Sequence, residues 1–317
     1  MAFIVETRDL VKRYPGAAHP SVSGITFGIA PGEIFSLLGP NGAGKTTTIS
    51  ILSCLLAPTS GDALVAGHSV KSDALAVKRA IGVVPQDIAL YPSLSARENL
   101  RFWGQMYGMS GKPLRTRIDA VLETVGLRDR ADERVEVYSG GMKRRINIAV
   151  GLLHRPQVVF MDEPTVGIDP QSRRAILDMI GALNAEGMTV LYTTHYMEEA
   201  EELSDRIGII DGGKLIALGT QSELAGMVGR DDLIELKIDA EHTAPPLLEA
   251  MAAVQGVKSV TAADGVVRLL AEDGQAALAE LIGVANAHGA KVAGVTVKEP
   301  HLEAVFLQLT GRALRDE

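Results

Sequence analysis

The hydrophobic positions of the chain fall into short apolar runs that are separated by segments with helical spacing. The runs that predict buried strands are 34–38, 80–84, 157–161, 188–193 and 206–211. Segments with apolar residues at helical spacing follow most of them, at 47–52, 95–126, 140–153 and 170–187. Strands that alternate with helices in this way predict an α/β fold.

Different patterns flank this α/β region. Near the N-terminus, residues 3–10 and 25–29 predict two strands of a small antiparallel sheet. In the C-terminal part the predicted order becomes strand, helix, strand, strand, helix, strand and a last helix, which indicates a ferredoxin-like α+β unit. We therefore predict two domains, 1–228 and 229–317. The second domain shows no reactive cluster, so we expect it to bind or position rather than to catalyse.

The segment 95–126 is predicted to be one long helix. Ser95 and Glu98 have the spacing of a capping box at its start. Its aromatic and methionine positions are expected to face mostly the core; they are Phe102, Trp103, Met106 and Tyr107.

The residues between the first long apolar run and the helix after it match the phosphate-binding pattern G-x-x-x-x-G-K-[ST]. They are Gly39, Pro40, Asn41, Gly42, Ala43, Gly44, Lys45 and Thr46, and Thr47 continues the helix. Glycines let backbone N–H groups turn toward an anion, and the helix N-terminus adds the positive end of its dipole. Lys45 would then reach the β- and γ-phosphates of a nucleotide, and the Thr46 hydroxyl would bind Mg²⁺.

Two adjacent carboxylates, Asp162 and Glu163, follow the apolar run 157–161. Ligands of α/β sheets bind at the carboxyl ends of strands, so Asp162 is a candidate Mg²⁺ ligand and Glu163 a candidate base that polarises water. His195 comes directly after the next strand and is a candidate γ-phosphate contact. A run of glutamates behind it predicts a solvated helix face; they are Glu198, Glu199, Glu201 and Glu202.

A second helix start is also suited to phosphate. Ser139 is a natural N-cap, and Gly140 and Gly141 leave backbone donors bare in the first turn. One protomer rarely needs two such cradles for one γ-phosphate, so this start suggests a site that is completed by another subunit. Tyr14, in the loop between the two N-terminal strands, either stacks on an adenine ring or packs in a turn.

Composition narrows the classes of partner. The formal net charge of −8 and a pI near 5.5 argue against a surface that neutralises nucleic acid, so no nucleic-acid partner is expected. The single cysteine, Cys54, excludes an internal disulfide and is typical of a reducing cytosol. No apolar run approaches the ~18–20 residues that cross a bilayer, and no secretory signal is evident. At a membrane, another chain would have to supply the spans.

Several motifs occur together, in an order and spacing that resemble an ABC-transporter ATPase subunit over roughly the first 228 residues. They are Gly39–Thr46, Gln86, Ser139–Gly141, Asp162–Glu163, Asp169 and His195. The resemblance implies an ATPase fold with a mixed sheet, an antiparallel β-subdomain and a helical subdomain. It further implies ATP and Mg²⁺ as cofactors, and a head-to-tail homodimer with two ATP molecules between its protomers.

The resemblance also implies roles for single residues. Ser139 of one protomer would cap the γ-phosphate that Lys45 of the other holds, and Asp169 would lie at the dimer seam. Gln86 would sense Mg²⁺ and the attacking water and relay closure to a membrane permease, with the segment 97–100 near that contact. Tyr14 matches the adenine-stacking aromatic. The protein would be cytoplasmic and peripheral on the inner face of the membrane.

Some positions depart from the family pattern. The family's signature motif, which corresponds to residues 138–142, usually begins with Leu and ends with Gln, where this chain has Tyr138 and Met142. The loop usually written Ser-Gly-Leu-Asp is Val166 to Asp169 here, which removes one hydroxyl from the implied dimer seam. The segments 138–142, 194–200 and 297–303 resemble the daunorubicin-resistance type of bacterial exporter ATPase, which also has a C-terminal extension. This implies export of a drug-like, lipid or polyketide substrate through a separate permease.

Two other classes of protein are less consistent with the sequence. A soluble ABC ATPase of DNA repair or translation is disfavoured by one nucleotide domain instead of two, by the lack of a coiled-coil insertion and of a Cys-x-x-Cys pair, and by the acidic charge. A nucleotide-gated binding protein without turnover is disfavoured by Glu163.

The first prediction concerns Lys45. We expect Lys45→Ala to abolish nearly all ATP turnover and to leave the fold intact, because an exposed loop side chain carries phosphate contacts and no core packing. Turnover by the purified variant measures this. Activity comparable with the parent protein would contradict the phosphate-loop assignment.

Overall fold

The computed structural model describes residues 3–227, 232–238, 245–263, 265–298 and 302–311. The chain divides into an N-terminal unit that ends at Leu218 and a C-terminal unit that begins at Gly219. The predicted boundary at 228/229 falls on residues outside the described ranges and stays a prediction. Within the described ranges, no helix is both long and apolar enough to span a membrane.

The N-terminal unit alternates strands and helices as the apolar pattern predicts. Its strands are β1 (Val5–Lys12), β2 (Val22–Ile29), β3 (Ile34–Leu38), β4 (Ser60–Val65), β5 (His68–Ser69), β6 (Ile81–Val84), β7 (Val158–Asp162), β8 (Thr189–Thr194), β9 (Arg206–Asp211) and β10 (Lys214–Gly219). Its helices are α1 (Lys45–Leu52), α2 (Ala74–Ala80), α3 (Ala96–Met106), α4 (Gly111–Thr124), α5 (Gly140–Leu152), α6 (Pro170–Ala185) and α7 (Met197–Leu203). The strands predicted from apolar runs are confirmed to within about two residues at each end.

The central sheet has the strand order β10-β9-β3-β8-β7-β6. The pairs β9/β3, β3/β8, β8/β7 and β7/β6 are parallel, and β3, β7 and β8 are buried along their whole length. Strands that are buried on both faces read as continuous apolar runs, which is why the sequence identified them. In the register of the sheet Leu38 lies opposite Thr194, and Asp162 opposite Thr193.

A second sheet of the N-terminal unit has the order β2-β1-β4-β5, and its strands pair antiparallel. This confirms the antiparallel pair predicted from residues 3–10 and 25–29. Its apolar side chains, among them Val5, Ile29 and Phe27, share one buried cluster with Phe35 of β3. The rings of Phe27 and Phe35 stack with centroids 5.0 Å apart.

The predicted single helix over 95–126 is two helices, α3 and α4. The helical conformation is interrupted between α3 and α4. Gly108 and Gly111, the first residue of α4, have φ angles of 77° and 64°, which belong to a left-handed turn and not to a continuous helix. The capping box of Ser95 and Glu98 is confirmed. The core assignment was wrong for two of the four residues, because Met106 is 68% and Tyr107 42% exposed.

The C-terminal unit consists of α8 (Gln221–Met227), β11 (Asp232–Ile238), α9 (Pro245–Ala252), β12 (Val257–Ala263), β13 (Val266–Ala271), α10 (Gly274–Ala287), β14 (Val292–Lys298) and α11 (Leu302–Thr310). From β11 to β14 the order of strands and helices is the predicted one. The strands form an antiparallel sheet of order β12-β13-β11-β14. This topology supports the predicted ferredoxin-like arrangement.

Helix α11 is held by both apolar and ionic contacts. It packs against α8, and its Leu302, Val305 and Phe306 are fully buried. Arg268 of β13 lies between Glu235 of β11, at 3.0 Å, and Glu303 of α11, at 3.3 Å. Helices α8 and α11 therefore belong to one packed layer, although the sequence analysis did not predict α8.

The second prediction concerns truncation. A chain that ends after Met227 keeps α8 without α11 and exposes the buried Leu224, whereas a chain that ends after Leu218 removes both helices. We expect the shorter chain to be the more soluble and to unfold at the higher temperature. We also expect the nucleotide affinity of both truncated chains, the one that ends after Met227 included, to stay within a few-fold of that of the full chain. A collapse of affinity in a folded truncation would mean that the C-terminal unit completes the nucleotide site.

Candidate active site

The carboxyl ends of four adjacent strands bring the candidate residues together. Strands β3, β8, β7 and β6 are neighbours in that order. The loop Gly39–Thr46 follows β3, His195 follows β8, Glu163 follows β7, and Gln86 lies two residues beyond β6. Parallel strands end at the same edge of a sheet, so segments that lie far apart in sequence converge there.

The loop Gly39–Thr46 folds around the Lys45 side chain. Gly44 has φ 108°, and a Cβ at this position would lie 2.3 Å from the Ser21 carbonyl oxygen, so no other residue fits without backbone movement. Lys45 Nζ donates to the carbonyl oxygens of Gly39 at 2.6 Å and Pro40 at 3.0 Å. The Lys45 side chain is only 4% exposed. The expectation that it is an exposed loop side chain was therefore wrong, and so was the reason for expecting an intact fold in Lys45→Ala, because that substitution leaves the buried Glu163 without its cation.

Glu163 is the centre of a buried polar cluster. Its Oε1 is 2.9 Å from Lys45 Nζ, and its Oε2 is 3.3 Å from His195 Nδ1. Gln86 Nε2 donates to the same Oε2 at 3.4 Å. Burial by itself raises the pKa of Glu163, but the hydrogen bonds from His195 and Lys45 and the charge of Lys45 outweigh it and lower the pKa. Glu163 is thus held as a carboxylate.

The backbone at Glu163 has an unusual conformation. Its φ is 44°, in the left-handed region that residues other than glycine seldom adopt. The Glu163 N–H donates to both the carbonyl oxygen and the hydroxyl of Thr193, each at 3.1 Å. These bonds hold a conformation that costs on the order of 1–3 kcal/mol. Thr193 was not singled out in the sequence, where it appears as one more residue of an apolar strand.

Asp162 lies on the other side of the same strand end. Its Oδ1 accepts a hydrogen bond from the Thr193 hydroxyl at 2.7 Å, and Thr46 also hydrogen-bonds to its carboxylate. Burial raises the pKa of Asp162, and these two hydrogen bonds only partly oppose that effect. A buried carboxylate beside a threonine hydroxyl is oxygen chemistry that suits Mg²⁺, whose charge would offset the cost of burial.

Ser139, Gly140 and Asp169 lie at a second surface, formed by the starts of α5 and α6. Ser139 is the N-cap of α5, as expected, and its Oγ accepts from the Met142 N–H at 3.2 Å. Asp169 caps α6 in the same way, through the Ser172 N–H at 2.9 Å. A Cβ at Gly141 would lie 2.1 Å from Ser172 Oγ, so the two helix starts are in close contact. Ser139, Gly140 and Asp169 are exposed.

Tyr14 lies beside the first turn of α1. Its hydroxyl is 3.5 Å from Thr47 Oγ1, and its ring is 38% exposed. Lys12 Nζ is 5.6 Å from the ring centroid. A partly exposed ring next to the phosphate loop is available for stacking.

Two residues that the sequence pattern did not single out fix the Gln86 segment. Arg144 of α5 is 4% exposed and donates to the carbonyl oxygens of Pro85 at 2.8 Å and Gln86 at 2.6 Å. Asn147, three residues later, accepts from the Ala89 N–H at 3.2 Å. Helix α5 therefore links the Ser139 surface to the Gln86 segment. A signal was present in the sequence, because both polar residues fall on the otherwise apolar face of this helix.

A second missed cluster lies behind His195. Glu199 Oε2 accepts hydrogen bonds from the Tyr192 hydroxyl and the Thr194 hydroxyl, each at 2.8 Å. Arg173 Nε is 3.5 Å from the other oxygen of Glu199 and stacks over the Tyr196 ring at 4.3 Å from its centroid. Burial and the charge of Glu199 raise the pKa of Tyr192 well above its ordinary value.

Glu199 is 2% exposed, so its assignment to a solvated acidic face was wrong. Tyr192 also lies 3.4 Å from Thr165, in the segment between Glu163 and Asp169. This buried cluster joins α6, which Asp169 caps, to the end of β8 that carries His195. Of the four glutamates in helix α7, only Glu199 is buried, and the sequence pattern does not distinguish it from the others.

Comparison with known proteins agrees with this geometry. The sequence profile described as "ABC transporter" matches residues 22–166. The linearmycin resistance ATP-binding protein LnrL of Bacillus subtilis (strain 168) is 48% identical, and the alignment covers 93% of this chain and 95% of that protein. The daunorubicin resistance ATP-binding protein DrrA3 of Streptomyces coeruleorubidus is 39% identical, with 92% and 91% covered.

A solved structure is similar as well. A dimeric structure of an ATP-binding cassette, described as a post-hydrolysis state bound to ADP and Pi, superposes with a TM-score of 0.62 at 27% identity. The match covers 68% of this chain and 98% of the other. The chain belongs to the ABC transporter family. Within it the chain is an ATP-binding subunit, an ATPase coupled to transport.

The third prediction tests the buried cluster at Glu199. Glu199→Ala should lower the free energy of unfolding of the N-terminal unit by about 2–4 kcal/mol, because the buried hydroxyls of Tyr192 and Thr194 lose their acceptor. The matched control is Glu198→Ala at the exposed neighbouring position, which should stay within about 0.5 kcal/mol of the parent. Urea unfolding followed by circular dichroism measures both. Equal effects of the two substitutions would contradict the buried role of Glu199.

Proposed function

We propose that Gly39–Thr46 binds the phosphates of ATP and that Glu163 acts as the general base that activates water. The observation that supports this most directly is the convergence of Lys45, Gln86 and His195 on the buried Glu163 carboxylate. Phosphoryl transfer to water needs a base, a cation that binds phosphate and polar groups that orient the reactants. All of these lie at one edge of the sheet. His195 contacts the γ-phosphate, and Tyr14 stacks on the adenine.

The residues present also fit Mg²⁺. Thr46, Asp162 and Gln86 would hold it, since they supply a hydroxyl, a carboxylate and an amide oxygen at the same edge of the sheet. The burial that raises the pKa of Asp162 favours a cation beside it. When bound, Mg²⁺ neutralises charge on the β- and γ-phosphates.

Lys45 gives the site a dependence on nucleotide. Its ammonium is paired with Glu163 and with two loop carbonyls. ATP phosphates compete for that ammonium, so binding draws Lys45 away from Glu163. Loss of a neighbouring positive charge raises the pKa of a carboxylate and makes it a stronger base. Glu163 therefore becomes effective when the phosphate that it serves is present.

The site is completed in a head-to-tail homodimer. Ser139 and Gly140 begin α5 with exposed backbone donors, and the exposed Asp169 stands at the neighbouring helix start. In the proposed dimer this surface of one protomer covers the γ-phosphate held by Lys45 of the other. Donors at a helix N-terminus suit an anion, and water is excluded when the two surfaces close.

A membrane permease is the second partner. Beyond Gln86, the apolar side chains of Ile88 and Tyr91 are 39% and 45% exposed. Asn99 holds this segment by accepting from the Tyr91 N–H at 2.8 Å and donating to its carbonyl oxygen at 3.0 Å. Exposed apolar groups on a fixed segment suit docking of another chain. Of the predicted contact segment 97–100, Asn99 and Leu100 are buried, so their part is to support this surface.

The names of the relatives support a direction of transport and a class of cargo. Both named relatives are resistance proteins, for linearmycin and for daunorubicin. We infer that the chain powers export of a drug-like, lipid or polyketide substrate from the inner face of the cell membrane. The two relatives match nearly the whole chain, including its C-terminal part, so the alternative role in DNA repair or translation is not favoured. ATPase stimulation of the reconstituted complex across a panel of drugs and lipids would identify the cargo.

The fourth prediction is that Glu163→Gln slows ATP hydrolysis by about 10²–10⁴ while ATP binding survives or tightens. Glutamine keeps the size and hydrogen bonding of the side chain but removes a negative charge that repels the γ-phosphate. ATP should then hold two protomers together, so the mass measured in solution should rise from monomer toward dimer when ATP is added at high protein concentration.

Ser139→Arg, added to Glu163→Gln, is the control for the seam, because its bulk at an exposed helix start should undo the dimer without disturbing the core. Turnover at the parent rate in Glu163→Gln would remove Glu163 as the base. A variant that binds ATP and stays monomeric at high concentration would count against the shared site.

A further inference from the structure

A cleft in the N-terminal unit lies away from the strand ends that carry the candidate active site. It is bounded by the end of α3, the first half of α4 and the segment after α5, and its volume is about 580 Å³. Its walls include Tyr107, Lys112, Arg117, His154 and Arg155. The side chains around it contain three permanent cations and no carboxylate.

The cations of the cleft have no counter-ion within the described part of the chain. Lys112, Arg117 and Arg155 form none of the ion pairs there, although the whole protein has a formal net charge of −8. The nearest carboxylates of α4 are used elsewhere. Asp119 pairs with Arg97 at 2.6 Å, and Glu123 pairs with Arg128 at 3.1 Å.

Arg117 is held in place by uncharged carbonyl oxygens, so its positive charge is not neutralised. It donates from Nε to the Leu153 carbonyl oxygen at 3.0 Å and from Nη2 to that of Leu152 at 2.6 Å, which caps the end of α5. Burial and the positive charge of Arg155 lower the pKa of Arg117. Two like charges therefore act on each other across the cleft, and an anion between them would remove that repulsion.

The backbone adds to the positive potential. Helix α4 begins at Gly111, its first turn contains no acidic residue, and the Ser110 side chain makes no capping hydrogen bond. The N–H groups of Gly111 and Lys112 are then left for another acceptor, whereas Pro113 has no N–H and the Leu114 N–H donates to the Ser110 carbonyl oxygen at 3.4 Å. Lys112, in that first turn, stands beside them.

The opposite wall is aromatic. Tyr107 and His154 stack with ring centroids 3.9 Å apart and planes 11° from parallel. His154 Nε2 is 2.8 Å from the Ile81 carbonyl oxygen, and burial together with the Arg117 charge lowers the pKa of His154, which keeps the ring neutral. Tyr107 lines the cleft and remains 42% exposed, so its side chain is accessible to a ligand.

We propose that this cleft is a binding site for a small soluble organic phosphate, with the phosphate among Lys112, Arg117 and Arg155 and an apolar or aromatic part against Tyr107. The volume is several times that of a phosphate group, and the open ring matches the part of the ligand that carries no charge. This site is separate from the phosphate loop and does not depend on the proposed hydrolytic mechanism.

The test uses phenyl phosphate as the probe, titrated by calorimetry and by the fluorescence of Trp103. Trp103 is the single tryptophan of the chain and lies one helical turn before Tyr107, so we expect its fluorescence to change when a ligand contacts Tyr107. Because the phosphate loop can also take up phosphate, the titration is run on the full chain with and without Lys45→Met. Inorganic phosphate and vesicles of phosphatidylcholine with phosphatidylglycerol are the comparison ligands.

We expect one phenyl phosphate per chain at the cleft, bound more tightly than inorganic phosphate and unaffected by Lys45→Met. Lys112→Gln and Arg155→Gln should each weaken binding by roughly three- to tenfold, since both side chains are exposed and their charges are partly screened. Tyr107→Leu should reduce the affinity to that of inorganic phosphate. Arg115→Gln is the matched control, because Arg115 is an exposed arginine of α4 that does not line the cleft.

Three results would overturn the proposal. The first is that Lys45→Met abolishes all binding of phenyl phosphate, which would place the ligand at the phosphate loop and not in the cleft. An equal loss in Arg115→Gln and Arg155→Gln would show general attraction to a basic helix. Binding of the vesicles but not of phenyl phosphate would assign the surface to a membrane. Variants are compared only where circular dichroism shows the parent fold, and the parent chain's Trp103 signal tests binding without any substitution.

Discussion

The parallel pairing of four neighbouring strands is the constraint on which the site depends. Strands β3, β8, β7 and β6 end at one edge of the sheet, and the register sets Leu38 opposite Thr194 and Asp162 opposite Thr193. Residues that are separated by more than a hundred positions are thereby brought within hydrogen-bond distance. Because the side chains along a strand alternate between its faces, a slip of one residue would turn Asp162 and Glu163 to the wrong sides.

That edge carries a concentration of buried charge that a protein core ordinarily avoids. Lys45 and Glu163 are almost fully buried, and removing one partner of such a pair costs about 3–5 kcal/mol. The strained backbone at Glu163 adds to the cost, and Thr193 offsets part of it, because its carbonyl oxygen and its hydroxyl both accept a hydrogen bond from the Glu163 N–H. The proposed function accounts for this arrangement better than stability does, since a base for ATP hydrolysis has to lie beside the phosphates.

The helices behind the edge hold the site in register. Arg144 of α5 fixes the Gln86 segment through its carbonyl oxygens, and Glu199 of α7 joins the end of β8 to α6. Each of these side chains therefore connects an exposed helix start, at Ser139 or Asp169, to a residue near Glu163. Packed and hydrogen-bonded groups therefore connect the exposed surface to Glu163, the proposed base.

Local pattern was enough to predict the strands of the central sheet, the loop Gly39–Thr46, the caps at Ser95 and Ser139 and the element order from β11 to α11, because these depend on residues close together in sequence. The tertiary structure decided what depends on distant neighbours. Lys45 is buried by Glu163, Glu199 is enclosed by Tyr192 and Thr194 while Glu198 remains in solvent, and Tyr107 lies at the surface although its spacing suits a core. Burial is a property of the packed molecule, and a helical pattern alone leaves open which of its faces is covered.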